Sequence, residues 1–331
     1  MGKFHRGSGN GNYLSGERVK ALIVTVTANP ALDRTVVLQN FKIGKINRVL
    51  RSRVDVGGKG INVAKNIKAL GGDAVCLGFL GRSDDFAAKY LEDLGIFTDF
   101  TIIQKPIRVN IKLIEENSST FTDINESGPE VDSSEARSLI EKIQSWAFKA
   151  KVVVLAGSLP PGVKDDFYNE IILNTKSSGA KVILDTEGDA LKLGIEASPY
   201  LIKPNIHELS GLVGKDLKTD KEIISAALPI IEKGVKIVAV SLGSRGSLTV
   251  TQDKAYFVPP LDVKVKSTAG AGDAMVAGFA LALEKGLNMI QAVKMASAAS
   301  SCAVTREGPQ PIDTDAYNNL INQVSIIEIP I

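Results

Sequence analysis

Short runs of β-branched and other apolar residues recur along the chain, and helical patterns separate most neighbouring runs. The runs lie at 21–27, 74–80, 151–157, 181–186, 200–205 and 235–243. The helical patterns lie at 61–70, 84–94, 133–150, 164–177 and 220–233. Strands that alternate with helices of this length form a parallel sheet with helices on both faces. The alternation therefore predicts an α/β fold, in which ligands sit at the carboxyl ends of the strands.

Two stretches interrupt the alternation, because strand follows strand with no helix between them. Residues 34–56 and 107–125 each have the pattern of an antiparallel ribbon set apart from the main sheet. The two ribbons could join as a small second layer or lid. From Gly270 to the end the chain is expected to be mainly helical. Residues 1–20 lack an apolar stripe, so we expect a disordered leader or cloning remnant followed by one folded unit over 21–331.

Charge and composition exclude several classes of function. The 39 Lys and Arg residues nearly balance the 37 Asp and Glu residues, which argues against a nucleic-acid-binding surface. No apolar run approaches the roughly 18 residues of a membrane span. With two histidines, the chain has little material for a His-based zinc site or Ser–His–Asp catalysis. Cys76 and Cys302 lie far apart in apolar settings, which favours a reduced, cytoplasmic protein.

The segment around Asp273 has the pattern of an anion site. Small residues at 267–272 precede Asp273, and an apolar helical pattern follows it. The first turn of a helix presents unpaired N–H groups and the positive end of the helix dipole, which bind phosphates. A carboxylate at that turn could take the proton from a hydroxyl that attacks phosphorus. The local pattern equally fits an Asp that caps a core helix.

Two glycine- and asparagine-containing turns suggest a sugar site. In 55–62 the glycines allow close backbone approach, while Lys59 supplies a charge and Asn62 a hydrogen-bonding amide. This segment matches neither G-x-x-x-x-G-K-[ST] nor G-x-G-x-x-G, and it also fits a glycine turn with a solvated lysine. Asp33, in the segment 29–33 after the first strand, suits bidentate hydrogen bonding to sugar hydroxyls or an Asx turn.

Two further groups of polar residues could bind a metal ion or a phosphate. Asn205 and Glu208 lie three residues apart and could order Mg²⁺ through its waters, although the pattern alone favours a capping box. Arg108, Asn110 and Lys112 alternate and would point to one side of a ribbon. Together with Lys59 they would form a pocket for a phosphate that is not transferred, although most exposed basic residues are simply solvated.

These motifs together resemble the signatures of the PfkB (ribokinase-like) sugar kinases. The segment 57–64, running on to Gly71 and Gly81, resembles the first signature, and 267–279 with its Gly-Ala-Gly-Asp core resembles the second. The resemblance covers about 21–320. Within the family, 27–33 and 157–162 resemble the phosphosugar branch, which contains 1-phosphofructokinases and tagatose-6-phosphate kinases. The segment 108–112, followed by 122–125, looks more like the 1-phosphofructokinases.

The resemblance implies a ribokinase-like three-layer α/β/α sandwich with a mainly parallel central sheet and a small β-sheet lid. The kinase domain would be 21–331, with the discontinuous lid at about 34–56 and 107–125, and the protein would dimerise through the lids. The implied reaction uses ATP and Mg²⁺ to convert D-fructose 1-phosphate to fructose 1,6-bisphosphate. Alternatives are a tagatose-6-phosphate kinase, a kinase for an unphosphorylated sugar or nucleoside, and an inactive kinase-fold binding protein.

The resemblance also implies a role for individual residues. Asp273 would be the general base, and the backbone N–H groups of Ala271, Gly272 and Asp273, which follow Gly270, would form the anion hole. The sugar phosphate would be bound by Asp33, Gly58, Lys59, Asn62, Arg108, Asn110, Lys112 and Arg48. The nucleotide would be bound by Lys203, Asn205, Ser241, Gly243 and Gly246, with Asn205 and Glu208 ordering Mg²⁺. Glu187 and Ala274 depart from the family pattern, which often has Ser at both positions.

Overall fold

Residues 22–118 and 120–331 are described by the computed structural model, and they form fifteen strands and ten α-helices. The strands are β1 (Ile23–Thr27), β2 (Ala31–Leu38), β3 (Val49–Gly57), β4 (Ala74–Gly81), β5 (Phe97–Thr98), β6 (Thr101–Ile103), β7 (Arg108–Glu115), β8 (Thr120–Ile124), β9 (Val152–Ala156), β10 (Lys181–Asp185), β11 (Leu201–Ile202), β12 (Ile237–Ser241), β13 (Ser247–Val250), β14 (Lys254–Val258) and β15 (Ile327–Pro330). The helices are α1 (Lys59–Ala69), α2 (Asp85–Asp93), α3 (Ser133–Ala147), α4 (Phe167–Thr175), α5 (Gly188–Glu196), α6 (Ile206–Val213), α7 (Asp220–Glu232), α8 (Ala271–Glu284), α9 (Met289–Ala303) and α10 (Thr314–Ile321). The predicted leader, 1–20, lies outside the described residues.

The main sheet has the order β15-β14-β13-β12-β11-β10-β9-β1-β4-β5, with β6 also paired to β4. The strands from β12 to β5 are parallel, whereas β13, β14 and β15 are antiparallel. Val24 of β1 lies opposite Val75 and Val153 of its two neighbours. All three side chains are buried, as expected for β-branched runs that are covered on both faces.

Helices cover both faces of the main sheet and divide the core in two. On one face, α1, α8, α9 and α10 pack against side chains such as Ile23 and Val154. On the other face, α3, α4, α5 and α7 pack against side chains such as Val24 and Leu155. Neighbouring strand residues thus enter opposite cores, as their alternation requires. The predicted three-layer α/β/α sandwich with a mainly parallel sheet is confirmed.

Two strands of the main sheet differ from the prediction. The run predicted at 200–205 contributes only the two residues of β11, and Pro204, which has no N–H for a ladder, follows within two residues. The end of the chain is not helical throughout, because after α10 the edge strand β15 pairs with β14. Its Ile-Glu-Ile alternation is too short to stand out from sequence. No helix among the described residues is long and apolar enough to cross a membrane.

The two ribbons join as one separate sheet with the order β3-β2-β7-β8. β2 pairs with β3 in antiparallel fashion and with β7 in parallel. Asp33 on β2 therefore lies between Asp55 of β3 and Asn110 of β7, and all three side chains point to one face. This small sheet carries polar side chains into the cleft beside the first turn of α1.

Candidate active site

The first turn of α8 holds Asp273 beside the start of α1. Gly270 precedes the helix with φ of 82°, and a Cβ there would lie 3.0 Å from Pro309, so both conformation and space favour glycine. Asn62 Nδ2, on α1, donates to Asp273 Oδ2 at 2.9 Å. Asp273 is only 7% exposed. The two predicted residues therefore meet across 211 positions of sequence.

Burial raises the pKa of Asp273 to about 6, and the nearby carboxylate of Asp185 adds to the effect. Lys59, the Asn62 hydrogen bond and Lys203 act in the opposite direction. A carboxylate with this pKa is ionised at neutral pH and is still a much better proton acceptor than an exposed aspartate. The arrangement suits general base catalysis at this position.

Two lysines flank Asp185, the last residue of β10. The Lys59 ammonium lies 3.3 Å from Asp185 Oδ1, and the Lys203 ammonium lies 3.4 Å from the same atom. Burial acts to raise the pKa of Asp185, but the two ammonium groups outweigh it and hold that pKa below its usual value. The Asp185 carboxylate in turn raises the pKa of Lys59. The two ammonium groups are therefore held beside two carboxylates, those of Asp185 and Asp273.

At the start of α8, where an anion site is predicted, the structure places backbone N–H groups and the Lys203 side chain. A Cβ on Gly272 would lie 3.2 Å from Lys203 Nζ, so this ammonium group lies against the first helical turn. The Ala271 N–H contacts the Thr268 carbonyl at 3.3 Å, whereas the N–H groups of Gly272 and Asp273 have no backbone acceptor among the described residues. A phosphoryl group at this turn would meet two free donors and one ammonium group.

Asp33 lies at the junction of the small sheet and α1. Asn110 Nδ2 donates to Asp33 Oδ1 at 3.0 Å, and a Cβ on Gly57 would lie 2.0 Å from Asp33 Oδ2. Gly58 has φ of 116° and would carry a Cβ only 2.6 Å from Thr27, so the turn that receives Asp33 requires glycine. Burial raises the pKa of Asp33, although the Asn110 bond, Lys65 and Arg108 oppose it. The predicted sugar-binding residues at this junction are thus brought together.

The predicted phosphate cluster is only partly assembled. Arg108 lies near Asp33 and donates to the carbonyls of Asn29 and Glu126, at 3.2 and 3.0 Å. Lys112 lies on the same face of β7 but pairs with Asp123 at 3.5 Å. Lys59 was expected to join these two residues, but its contact is with Asp185, on the side of the cleft that holds Asp273.

Arg48 is not brought to the cleft of its own chain. It is exposed and immediately precedes β3, whose first residue pairs with Leu38 at the far end of the ribbon. Nine residue steps along β3 separate it from Gly57, which is about 30 Å at the usual rise per residue. Arg48 and Lys59 therefore lie far apart and do not form the expected group.

Four of the five predicted nucleotide-binding residues line one cavity of about 580 Å³, whereas Lys203 is not part of its lining. Its polar rim contains Asn205, Ser241, Gly243 and Gly246, and its far side is the first turn of α8 at Ala271 and Gly272. Val258, Leu261 and Val263 give it an apolar wall. A cavity with one apolar wall and one anion-binding end fits a nucleotide whose base and phosphates lie at opposite ends. Gly272, which lines the cavity, immediately precedes Asp273, so a phosphate chain in the cavity could come close to this carboxylate.

Asn205 and Glu208 form the capping box that the pattern allowed. Asn205 Oδ1 accepts from the N–H groups of His207 and Glu208, and Glu208 Oε2 accepts from the Asn205 N–H at 2.8 Å. Among the described residues no group of three His, Cys, Asp or Glu side chains could hold a metal ion directly. Mg²⁺ in phosphoryl transfer needs only one or two carboxylates beside the phosphates, so Glu208 Oε1, which has no bond in this capping box, fits a water-mediated role.

The sequence reasoning missed Asp185 as a site residue. Its strand was predicted, and a charged residue that ends a buried parallel strand is a usable signal. Glu187, two residues later, was noted as a departure from the family pattern, and its side chain is exposed. Ala274, the other departure from the family pattern, is fully buried at 0% exposure and faces the core.

Comparisons with known proteins show the family to which the chain belongs. A 1-phosphofructokinase from Vibrio cholerae is 33% identical over 305 residues, which cover 92% of this chain and 96% of that protein. A 1-phosphofructokinase from Borreliella burgdorferi is 35% identical over 289 residues, covering 86% and 92%. Phosphofructokinase-2 from Escherichia coli, solved with fructose-6-phosphate, has a TM-score of 0.84 at 29% identity over 93% of this chain and 99% of that chain. Residues 27–315 match the pfkB family carbohydrate kinases, and the chain therefore belongs to this family of sugar kinases.

Proposed function

We propose that the protein transfers the γ-phosphoryl group of ATP to the 6-hydroxyl of D-fructose 1-phosphate and forms fructose 1,6-bisphosphate. The observation that carries the chemistry is the buried Asp273, with its raised pKa, beside two free N–H groups of α8. The choice of acceptor is supported by relatives named 1-phosphofructokinase, which are 33% and 35% identical to most of the chain.

In the proposed step, Asp273 accepts the proton of the 6-hydroxyl as its oxygen attacks the γ-phosphorus. The bond from the γ-phosphorus to the β,γ-bridging oxygen breaks, and ADP leaves with that electron pair. Negative charge on the γ-phosphoryl oxygens is stabilised by the N–H groups of Gly272 and Asp273 and by the Lys203 ammonium group. Asn62 holds the carboxylate in place through its 2.9 Å hydrogen bond.

The acceptor would be held at the junction of the small sheet and α1. Asp33 would accept hydrogen bonds from sugar hydroxyls while Asn110 orients its carboxylate. Arg108 would bind the 1-phosphate, because guanidinium groups recognise phosphate through paired hydrogen bonds and its Nε is buried without a partner. Lys112 would add charge on the same face, after exchanging its contact with Asp123. Arg48 has no part in this proposal for one chain.

The phosphates of ATP would run from the cavity at Ser241 and Gly243 to the first turn of α8. Asn205 and Glu208 would order Mg²⁺ through its waters, and the ion would neutralise phosphate charge when bound. Lys59 and Lys203, which share Asp185, would supply the fixed positive charge of the protein.

The small sheet would act as a lid over the acceptor. Arg53 Nη2 on β3 donates to the Glu307 carbonyl at 2.8 Å, which ties the small sheet to a loop of the main domain. A lid that excludes water favours attack by the sugar hydroxyl over hydrolysis of ATP. The reaction would take place in the cytoplasm, where the two buried free cysteines would stay reduced.

The opposite face of the small sheet is our proposed dimer interface. Val54, Arg34, Ile111 and Ile124 form one row across its four strands. Val54 and Ile124 are 56% and 51% exposed, so a second copy would cover apolar surface there. Light scattering at micromolar concentration should give the mass of a dimer, and a monomer would contradict this part of the proposal.

The experiment that tests the proposed function follows ADP release with Mg-ATP and fructose 1-phosphate, and identifies the product by phosphorus NMR. We expect a second phosphomonoester signal, coupled to the protons on C6, and little ADP without sugar. A product phosphorylated elsewhere would contradict the proposed geometry. Nucleotide binding without turnover on any sugar would favour an inactive kinase-fold protein, which the intact Asp273, Gly270 and Gly272 argue against.

A further inference from the structure

Lys65 is a buried cation that the proposed mechanism leaves without a role. It lies on α1, one turn after Asn62, and is only 3% exposed. Its ammonium group donates a hydrogen bond to the Val56 carbonyl and lies 5.7 Å from the centre of the Tyr90 ring. An ammonium group taken out of water is costly unless it is paired, so its position calls for a physical reason.

Four acidic groups, each on a different element, face Lys65. Burial lowers the pKa of Lys65, while Asp55 on β3, Asp33 on β2, the Cys76 thiol on β4 and Asp273 on α8 act to raise it. None of these carboxylates forms a hydrogen bond with its ammonium group among the described contacts. Lys65 thus interacts with the acidic groups electrostatically, without a direct hydrogen bond, and it forms one hydrogen bond with the backbone, at the Val56 carbonyl.

The carbonyl that Lys65 binds lies next to the turn that receives Asp33. Val56 is followed by Gly57, whose Cα lies against the Asp33 carboxylate. Asp33 is directly opposite Asp55 in the β2–β3 ladder, and like charges in such a pair repel each other. Arg53 binds Asp55 at 2.7 Å, which leaves Arg108 and Lys65 as the cations that act on Asp33.

We infer that Lys65 is a positioning residue for the acceptor: its buried ammonium group holds the β3–α1 turn against Asp33 and keeps that carboxylate ionised for sugar hydroxyls. The inference rests on the proposed function, because it requires Asp33 to bind the sugar. A protonated Asp33 would lose part of its capacity to accept hydrogen bonds. Loss of Lys65 would therefore weaken sugar binding most strongly at low pH.

The test measures binding of fructose 1-phosphate by calorimetry between pH 5 and pH 8.5 in Asp273→Asn protein, where the base cannot titrate. Lys65→Met removes the charge and the donor, Lys65→Gln keeps a neutral donor, and Lys65→Arg keeps the charge. Lys68→Met, on the same helix but paired with Asp73, is the matched control. The phosphate ester titrates equally in all variants, so differences between variants report on the protein.

In Lys65→Met and Lys65→Gln, we expect the pH at which sugar affinity falls to half to be higher by about one unit. This is the size of pKa shift that a neighbouring charge produces. Lys65→Arg and Lys68→Met should leave this pH unchanged, and nucleotide affinity should be unchanged in every variant. Equal weakening at all pH values would mean a purely structural role and would overturn the inference, as would unchanged sugar binding. If the parent chain phosphorylates a different sugar, the proposed function fails while the same titration with that sugar still tests Lys65.

Discussion

Replacement of Asp273 by Asn should have two opposite effects, because the same burial that makes the carboxylate a base also destabilises the folded protein. Loss of a general base typically lowers kcat by about 10²–10⁴-fold. In the parent enzyme, kcat/KM should fall about tenfold per pH unit below the Asp273 pKa of about 6, because only the ionised carboxylate accepts the proton. The variant should lack this dependence.

The effect on stability follows from the same pKa. Folding raises the pKa of Asp273 from 3.8 to about 6, so the folded state favours its protonated form. The resulting penalty is absent below the unfolded pKa and fully present above the folded one. Asn removes the penalty and can still accept the Asn62 hydrogen bond. The free energy of unfolding should therefore rise by about 3 kcal/mol at pH 8 and by about half of that at pH 5.

The assay pairs steady-state kinetics with denaturant unfolding at both pH values. Asp216→Asn, at an exposed position, is the control and should change neither quantity. A variant of Asp273 that keeps kcat within about threefold of the parent would refute its role as base, since that role is worth far more. A variant that is less stable than the parent at pH 8 would refute the burial argument.

Three further substitutions test the surrounding charges. Arg108→Ala should raise KM for fructose 1-phosphate by about 10–100-fold in steady-state assays, because a charged hydrogen bond to the phosphate is lost. The KM for free fructose should change less, and Arg108→Lys should restore part of the affinity. Lys59→Met should move the acid limb of kcat/KM to higher pH, because Lys59 lowers the pKa of Asp273; an unmoved limb would contradict the assigned coupling. Glu208→Gln can keep the capping box and should raise the Mg²⁺ concentration for half-maximal rate about tenfold, whereas an unchanged Mg²⁺ titration would remove Glu208 from the metal site.

The sequence was sufficient for the layers of the fold because periodicity reports burial directly. The β-branched runs around Val24 and Val153 predicted covered strands, and these strands are present. The glycines before Asp273 predicted the start of a helix there, with an anion site as one interpretation. Strand register could not be predicted from such patterns. The position of Arg48 depends on where β3 pairs with β2, and this pairing puts it at the far end of the small sheet.

Contacts between distant elements could not be predicted from the sequence either. Asp185 joins the candidate site through contacts with two lysines that are 126 and 18 positions away, which no local motif displays. Lys65 lies in the same helical pattern as the more exposed Lys68, and spacing alone does not separate a buried lysine from a solvated one. The residues of the site were thus more readily predicted than the pairs that they form.

The most direct test of the central claim is the ratio of kcat/KM for several acceptors in one ADP-release assay with Mg-ATP. The acceptors are fructose 1-phosphate, fructose 6-phosphate, tagatose 6-phosphate, fructose and ribose. We predict that fructose 1-phosphate has the highest kcat/KM by about tenfold or more, which corresponds to about 1.4 kcal/mol of transition-state binding. A preference for tagatose 6-phosphate or fructose 6-phosphate would contradict the acceptor assignment, and activity on free sugars alone would contradict the phosphate role of Arg108.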